Sequence, residues 1–237
     1  IPVSPMSHQE IKASLVETIL KGNPEIVQNI ISDNKEGISV TSIGAPTIRN
    51  NTIEGNTDYG IHVTSNQTFN IEQNNDIANS TIGIFIEGDA QPIVNNSNSI
   101  HHNDYGIKVQ DGNIIVEDHN RIWMNDYGVY LDTASTPQLY NNNTIETNTV
   151  GIWVAPSTYP VVNWNNIANN TNLGVNKSGG SYFDCECNWW KDDGGPNDPS
   201  NDPLGLYNPN PDGENVTDYV DYDQWWRKAT GKCDGSP

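Results

Sequence analysis

Glycine returns along this chain with a period that leaves few folds open. Gly37, Gly60, Gly83, Gly106, Gly128, Gly151 and Gly174 are separated by 23, 23, 23, 22, 23 and 23 residues. Each follows an asparagine by three or four residues, and each but the last is followed by aliphatic residues at the first and third positions. Self-similarity at such a period marks an array of stacked units, in which each unit buries its apolar face only against its neighbours. The two near-copies NDYGIKV (103–109) and NDYGVYL (125–131) therefore read first as coils of an array, not as a duplicated active site.

Within a unit the apolar pairs are Ile38/Val40, Ile61/Val63, Ile84/Ile86, Ile107/Val109, Val129/Leu131 and Ile152/Val154. Alternation at period two puts one face of a strand in a core. Further strands are expected upstream, in PTIRNNTI (46–53), PQLYNNNTI (137–145) and PVVNWNNI (160–167). A unit this short, with two or three strands and no helix-length segment, predicts an all-β, single-stranded parallel β-helix of about seven to eight rungs. Seven rungs at about 4.8 Å would make a rod roughly 34 Å long.

Asparagine supplies the corners. Asn29, Asn51, Asn75, Asn98, Asn120, Asn143 and Asn165 each stand two residues before an isoleucine, and Asn34, Asn56, Asn79, Asn103, Asn125, Asn148 and Asn170 mark a second turn. Stacked amides can bond from rung to rung, and Asn tolerates the left-handed backbone of a tight corner. Asn-X-Ser/Thr sequons occur in the same rows, but the ladder explains most of these asparagines without glycans.

The array fills residues 24–180 and leaves no room for a linker, so the chain is read as one domain with an N-terminal cap (1–23) and an irregular C-terminal cap (181–237). At the N-terminus SHQEIKASLVETIL offers Ser7 and Glu10 as a capping box, with Ile11, Leu15, Val16 and Ile19 on one face, which predicts a short capping helix. The rival reading is an eighth, degenerate rung, because SLVETILKGNP aligns with GISVTSIGAP. Cys185 and Cys187 lie on one face of an extended segment, and a disulfide from either to Cys233 would tie down the tail.

Eleven basic against thirty acidic residues give a formal charge of −19, which repels nucleic acid and anionic membranes. It also disfavours uronic-acid polymers unless a divalent cation intervenes. No apolar run is long enough for a membrane span, and a chain that starts at Ile1 instead of Met fits removal of a signal peptide.

From Asn188 the repeat gives way to NWWKDDGGPNDPSNDPLGLYNPNPDGENVTDYVDYDQWW. This run resembles the terminal segment of secreted or surface right-handed parallel β-helix proteins, which read Asn-Trp-Trp-Gly, an Asp/Gly/Pro loop and a strand ending in Pro-Trp. Lys191 and Gln224 depart from that pattern. The rungs are similar to the repeat of the pectate-lyase-like superfamily, shared with the carbohydrate-binding and sugar-hydrolysis group and with nitrous-oxide-reductase accessory proteins. The resemblance implies the fold, its right-handed sense and an extracellular or cell-surface setting. It does not choose among lyases, hydrolases, epimerases and passive surface proteins.

Three sets of residues are candidates for function. The outward column two residues past each glycine contains Phe85, Lys108, Tyr130 and Trp153, a stripe that could lie along a polysaccharide or merely stiffen the sheet. On another face Ser99, Arg121 and Thr144 fall in one column and His101, Trp123 and Glu146 in the next. There His101, Arg121 and Glu146 are candidate catalytic groups, and Trp123 a support for a sugar ring. In the C-terminal loop Asp192, Asp193, Asp198, Asp202 and Asp212 could wrap calcium, although without EF-hand spacing. Trp189, Trp190, Trp225 and Trp226 are read as closing the core. The rungs tile evenly, with no long insert to wall off a cleft. The expected function is therefore a non-catalytic scaffold or carbohydrate-binding module that meets extracellular polysaccharide, neighbouring surface proteins or its own β-helix ends. The alternative is a polysaccharide lyase, glycoside hydrolase or epimerase.

Overall fold

A computed structural model describes the backbone of Glu10–Lys12 and Glu17–Thr18, and residues 23–41, 45–133, 136–200 and 204–236 in full. Each rung contributes three short strands, and each strand pairs in parallel with its copy one rung away. Among the described residues this makes two eight-stranded sheets and one of seven strands. The first sheet runs from Glu10–Lys12 to Asn166–Ala168, the second from Glu17–Thr18 to Leu173–Lys177, and the third from Glu25–Val27 to Val161–Asn163.

The N-terminal segment follows the degenerate-rung reading. Glu10–Lys12 pairs with Ile30–Ser32, and Glu17–Thr18 pairs with Ser39 and Val40. The capping helix is therefore replaced by strand where the backbone is described; Ser7, Leu15, Val16 and Ile19 lie outside the described residues. An open sheet end offers unpaired backbone groups that one more rung can satisfy at once, which an isolated turn of helix cannot.

Side chains that recur at one position in sequence recur above one another in space. Ile53, Ile77, Ile100, Ile122, Ile145 and Ile167 form one fully buried column of the first sheet. Ile61, Ile84, Ile107, Val129 and Ile152 do the same in the second sheet, and Ile48, Ile71, Val94, Val116, Leu139 and Val162 in the third. The last rung breaks the rule. Lys177 takes the inward place held by Val154 one rung earlier and is almost fully buried. Its ammonium donates to the carbonyls of Ala155 and Thr158 at 3.1 and 2.7 Å, and burial lowers its pKa.

The repeated glycine is required by close approach. A Cβ built on Gly128 would lie 2.6 Å from the carbonyl oxygen of Gly151 and 2.9 Å from Nδ2 of Asn148, and the same 2.6 Å contact recurs at Gly37, Gly60, Gly83 and Gly106. The neighbouring asparagine is thus part of the same corner. In the other asparagine row, Asn143 Oδ1 accepts from both N and Nδ2 of Asn120, at 3.1 and 2.9 Å, while that Nδ2 also donates to Val94 O and Glu117 O. This row runs from Asn29 to Asn165 and ends on Asn188. The second row runs from Asn34 to Asn170 with one correction: Ser80, whose N–H donates to Asn103 Oδ1 at 3.0 Å, holds the place expected of Asn79. Asn79 is exposed at the corner with φ 55°.

The cap continues the stack. In Asn188-Trp189-Trp190 the asparagine prolongs the ladder, Trp189 bridges to Asn166 on the outward column, and Trp190 is fully buried. Val216 bridges to Val175 and adds backbone to the end of the second sheet. The Trp225–Arg227 and Lys232–Gly235 hairpin is joined to this end by the Cys187–Cys233 disulfide, which leaves Cys185 as a buried free thiol.

The second ladder ends on Glu214, which is almost fully buried and whose Oε2 accepts from N and Nδ2 of Asn170 at 3.2 and 3.4 Å. Burial raises the Glu214 pKa above its ordinary 4.5, against the lowering effect of those bonds. Between the two values the folded chain holds a proton that the unfolded chain has lost, so this group's contribution to stability falls as pH rises through that window. Glu214→Gln is expected to raise the melting temperature relative to the unsubstituted protein at pH 7, with the gap closing below pH 4.5. Glu214→Ala, which leaves the Asn170 donors buried, should cost about 1–3 kcal/mol. Denaturant unfolding at both pH values checks the signs. Reduction of the Cys187–Cys233 bridge, which spans 46 residues, should cost about 2–4 kcal/mol by freeing the unfolded chain, read as a shift in denaturation midpoint with and without reductant.

Candidate functional site

The register of the first sheet brings His101, Arg121 and Glu146 onto one face, as their columns predict. Arg121 donates through Nε to Glu146 Oε1 at 2.7 Å, and its guanidinium lies 4.2 Å from the centre of the Trp123 ring. His101 Nε2 is 2.8 Å from Asp76 Oδ1, its Nδ1 is 2.7 Å from Nδ1 of His102, and its ring is 4.7 Å from that of Trp123. Trp123 donates its indole N–H to Ser99 Oγ at 3.2 Å. Sequence reasoning missed Asp76 and His102, although Asp76 precedes Ser99 in its column.

On this face Arg121 pairs with Glu146, whereas the His101–Asp76 contact is an ion pair only when the imidazole is protonated. A lyase base needs an unpaired arginine or lysine, and Arg121 is ion-paired to Glu146. Paired-carboxylate hydrolysis needs two acids about 5–9.5 Å apart. Asp76 and Glu146 stand three rungs apart, about 14 Å at a rung spacing of about 4.8 Å.

On the second sheet Phe85, Lys108, Tyr130 and Trp153 occupy successive outward positions, flanked by Tyr59, Tyr105 and Tyr127. The rings meet face to face across rungs. Tyr130 and Trp153 stack at 4.1 Å with 6° between planes, and Tyr105 and Tyr127 at 5.2 Å and 9°. Lys108 Nζ lies 5.2–5.8 Å from the rings of Tyr105, Tyr130 and Phe85. Burial first, and neighbouring ionisable groups second, push the Tyr105 and Tyr130 hydroxyls above their ordinary 10.0.

Three acidic side chains of the cap bind the cap itself. Asp192 accepts from Gly194 N and Asn210 Nδ2, and Asp193 from the backbone of Lys228 and Ala229. Asp198, almost fully buried, accepts from Ser200 and from the hydroxyl of Tyr222. The N–H of Asp212 donates to Asn210 Oδ1. Asp202 lies outside the described residues. Among the described residues no three His, Cys, Asp or Glu side chains come together as a metal-ligand group.

The four cap tryptophans divide two by two, which corrects the expectation that all of them close the core. Trp190 and Trp225 are buried, whereas Trp189 and Trp226 line an open cleft of about 280 Å³. Trp164 faces Trp226 edge-on at 5.6 Å, and Lys228 Nζ lies 4.1 Å from the centre of the Trp189 ring. Asn142, Thr144, Asn166 and the disulfide residue Cys187 complete the walls.

Trp164 was not singled out from sequence, and its position is unusual. It has φ 62° and is 46 % exposed. The same corner of other rungs carries Asn50, Asn74, Ser97, His119 and Asn142, also at positive φ. A bulky side chain in this conformation is strained where asparagine is tolerated. The signal was present as NWNN (163–166) against NNNT (141–144), an indole at a corner that the other rungs named fill with Asn, Ser or His.

No helix among the described residues is long and apolar enough to cross a membrane. Comparison with curated proteins and with solved structures gave no match. A family model for the right-handed β-helix region matches residues 10–76 and 36–189, and the parallel three-sheet stack places the described residues among them in successive rungs of one solenoid. The chain belongs to the right-handed β-helix family.

Proposed function

We propose that this chain is a non-catalytic, extracellular carbohydrate-binding β-helix, and that the indole cleft beside its C-terminal cap is where the saccharide sits. The observation that carries this reading is Trp164. An exposed indole in a strained corner conformation, beside Trp189 and Trp226, gives up backbone comfort for an aromatic wall that packing does not require. Aromatic faces bordered by amide and hydroxyl groups suit the apolar faces and equatorial hydroxyls of a pyranose. The net charge of −19 favours a neutral polymer, and the disulfide supports an oxidising, extracellular compartment.

The aromatic stripe of the second sheet supports a different role. Its ring faces are turned on one another, so Phe85, Tyr130 and Trp153 stiffen the stack more readily than they receive a sugar. The ion pair that occupies Arg121 with Glu146 favours the non-catalytic reading over a lyase.

Retention on cellulose, mannan, xylan, chitin and polygalacturonate, each with calcium and with chelator, tests this reading alongside assays for reducing and unsaturated ends. Retention on a neutral polymer without product is expected. Trp164→Asn should abolish retention while leaving the melting temperature unchanged or higher, since relief of strain, of order 1 kcal/mol, offsets the lost ring contact. Absence of retention on every polymer would overturn the proposal. Product formation that disappears in Arg121→Ala and Glu146→Ala would make the protein an enzyme instead.

A further inference from the structure

Resting on that reading, the geometry points to a binding track longer than the cleft: the Arg121–Glu146 pair forms a second, polar subsite, and the ligand is an oligomer, not a single sugar ring. The column that holds Arg121 continues through Thr144 and Asn166 to Trp189, and the next column continues from Trp123 through Glu146 to Ala168. Thr144 lines the cleft and is the neighbour of Arg121 in register, so the Arg121 side chain stands one rung beyond the cleft wall. The outward residues between the two ends, Thr144 and Asn166, are of moderate size and half-buried.

Both ends set a cation on an indole, Lys228 on Trp189 at 4.1 Å and Arg121 on Trp123 at 4.2 Å. They are three rungs apart, about 14 Å at a spacing of about 4.8 Å, which exceeds the reach of one pyranose. Arg121 has five N–H donors, and Glu146 engages only part of this fork. Its side chain is 52 % exposed. The pair therefore offers donors and an acceptor in fixed geometry to sugar hydroxyls, with Trp123 beneath the guanidinium.

The test is calorimetric titration with cello-, manno-, xylo- and chito-oligosaccharides of one to six units. For the series that binds, affinity should rise with length until both ends are reached. Arg121→Ala should lower affinity for the longest oligomer by about tenfold, the scale of one hydrogen bond to a charged group, and leave the shortest binding oligomer within about twofold. Trp226→Ala should weaken every length. A purely structural ion pair would not produce this dependence on length, and thermal melts of each variant separate folding from binding. Equal affinity at all lengths, or an Arg121→Ala loss that is the same at all lengths, would overturn the track and leave the cleft reading standing. Failure of every series to bind the unsubstituted protein would overturn the saccharide reading itself, and the track with it.

Discussion

The structure depends on rung-to-rung registry held by two buried rows of amides and one row of glycines. An asparagine side chain that accepts from the backbone and side chain of its neighbour, and donates to carbonyls on its own and adjacent rungs, fixes the corner in all directions at once. The glycines allow this registry because their carbonyls pass 2.6 Å from where a Cβ would stand. A one-residue slip would bury the corner amides' neighbours and turn the isoleucine columns outward, so hydrogen bonding and burial select the same register.

Such a stack carries its own difficulty at the ends, where each ladder has an atom left over and each sheet an edge. The C-terminal cap meets these demands separately. Asn188 receives the first ladder, Glu214 the second, and Lys177 is satisfied by carbonyls of a preceding loop. Trp190 and Trp225 cover the hydrocarbon. A buried carboxylate and a buried ammonium so close to the end of the rod are costs that arise where the repeat stops.

Most of the fold was legible because repetition makes it so. The seven glycines, the first asparagine row and the alternating aliphatics each have one consistent reading, and the columns they define put His101, Trp123 and Glu146 side by side, as the sheet register does. What was not legible lies where local pattern and tertiary context part. Ser80 takes the place expected of Asn79, and the count to the next glycine does not separate them, because Asn56 and Asn170 hold ladder places four residues before theirs. The amphipathic pattern at Ser7–Ile19 fits a helix as well as a rung, and pairing with Ile30–Ser32 decides for strand in the part described. The tryptophan pairs alternate between core and cleft because adjacent residues of a strand face opposite ways, so reading both members as core ignored the period used elsewhere.

In a solenoid the interior positions are committed to packing, so ligand recognition is confined to side chains that the stack leaves free. On the second sheet those side chains pair with each other across rungs, which uses up their faces. On the first sheet the free positions become small toward the cap, and the cap then raises Trp226 and Lys228 beside them on a hairpin fixed by Trp225 and the disulfide. The cleft is thus a product of termination: the repeat contributes Trp164 at its corner, and the element that ends the repeat adds the facing wall of Trp189 and Trp226. This is why a chain with evenly tiled rungs and no inserted loops still possesses a concavity, and why it lies at the junction of repeat and cap.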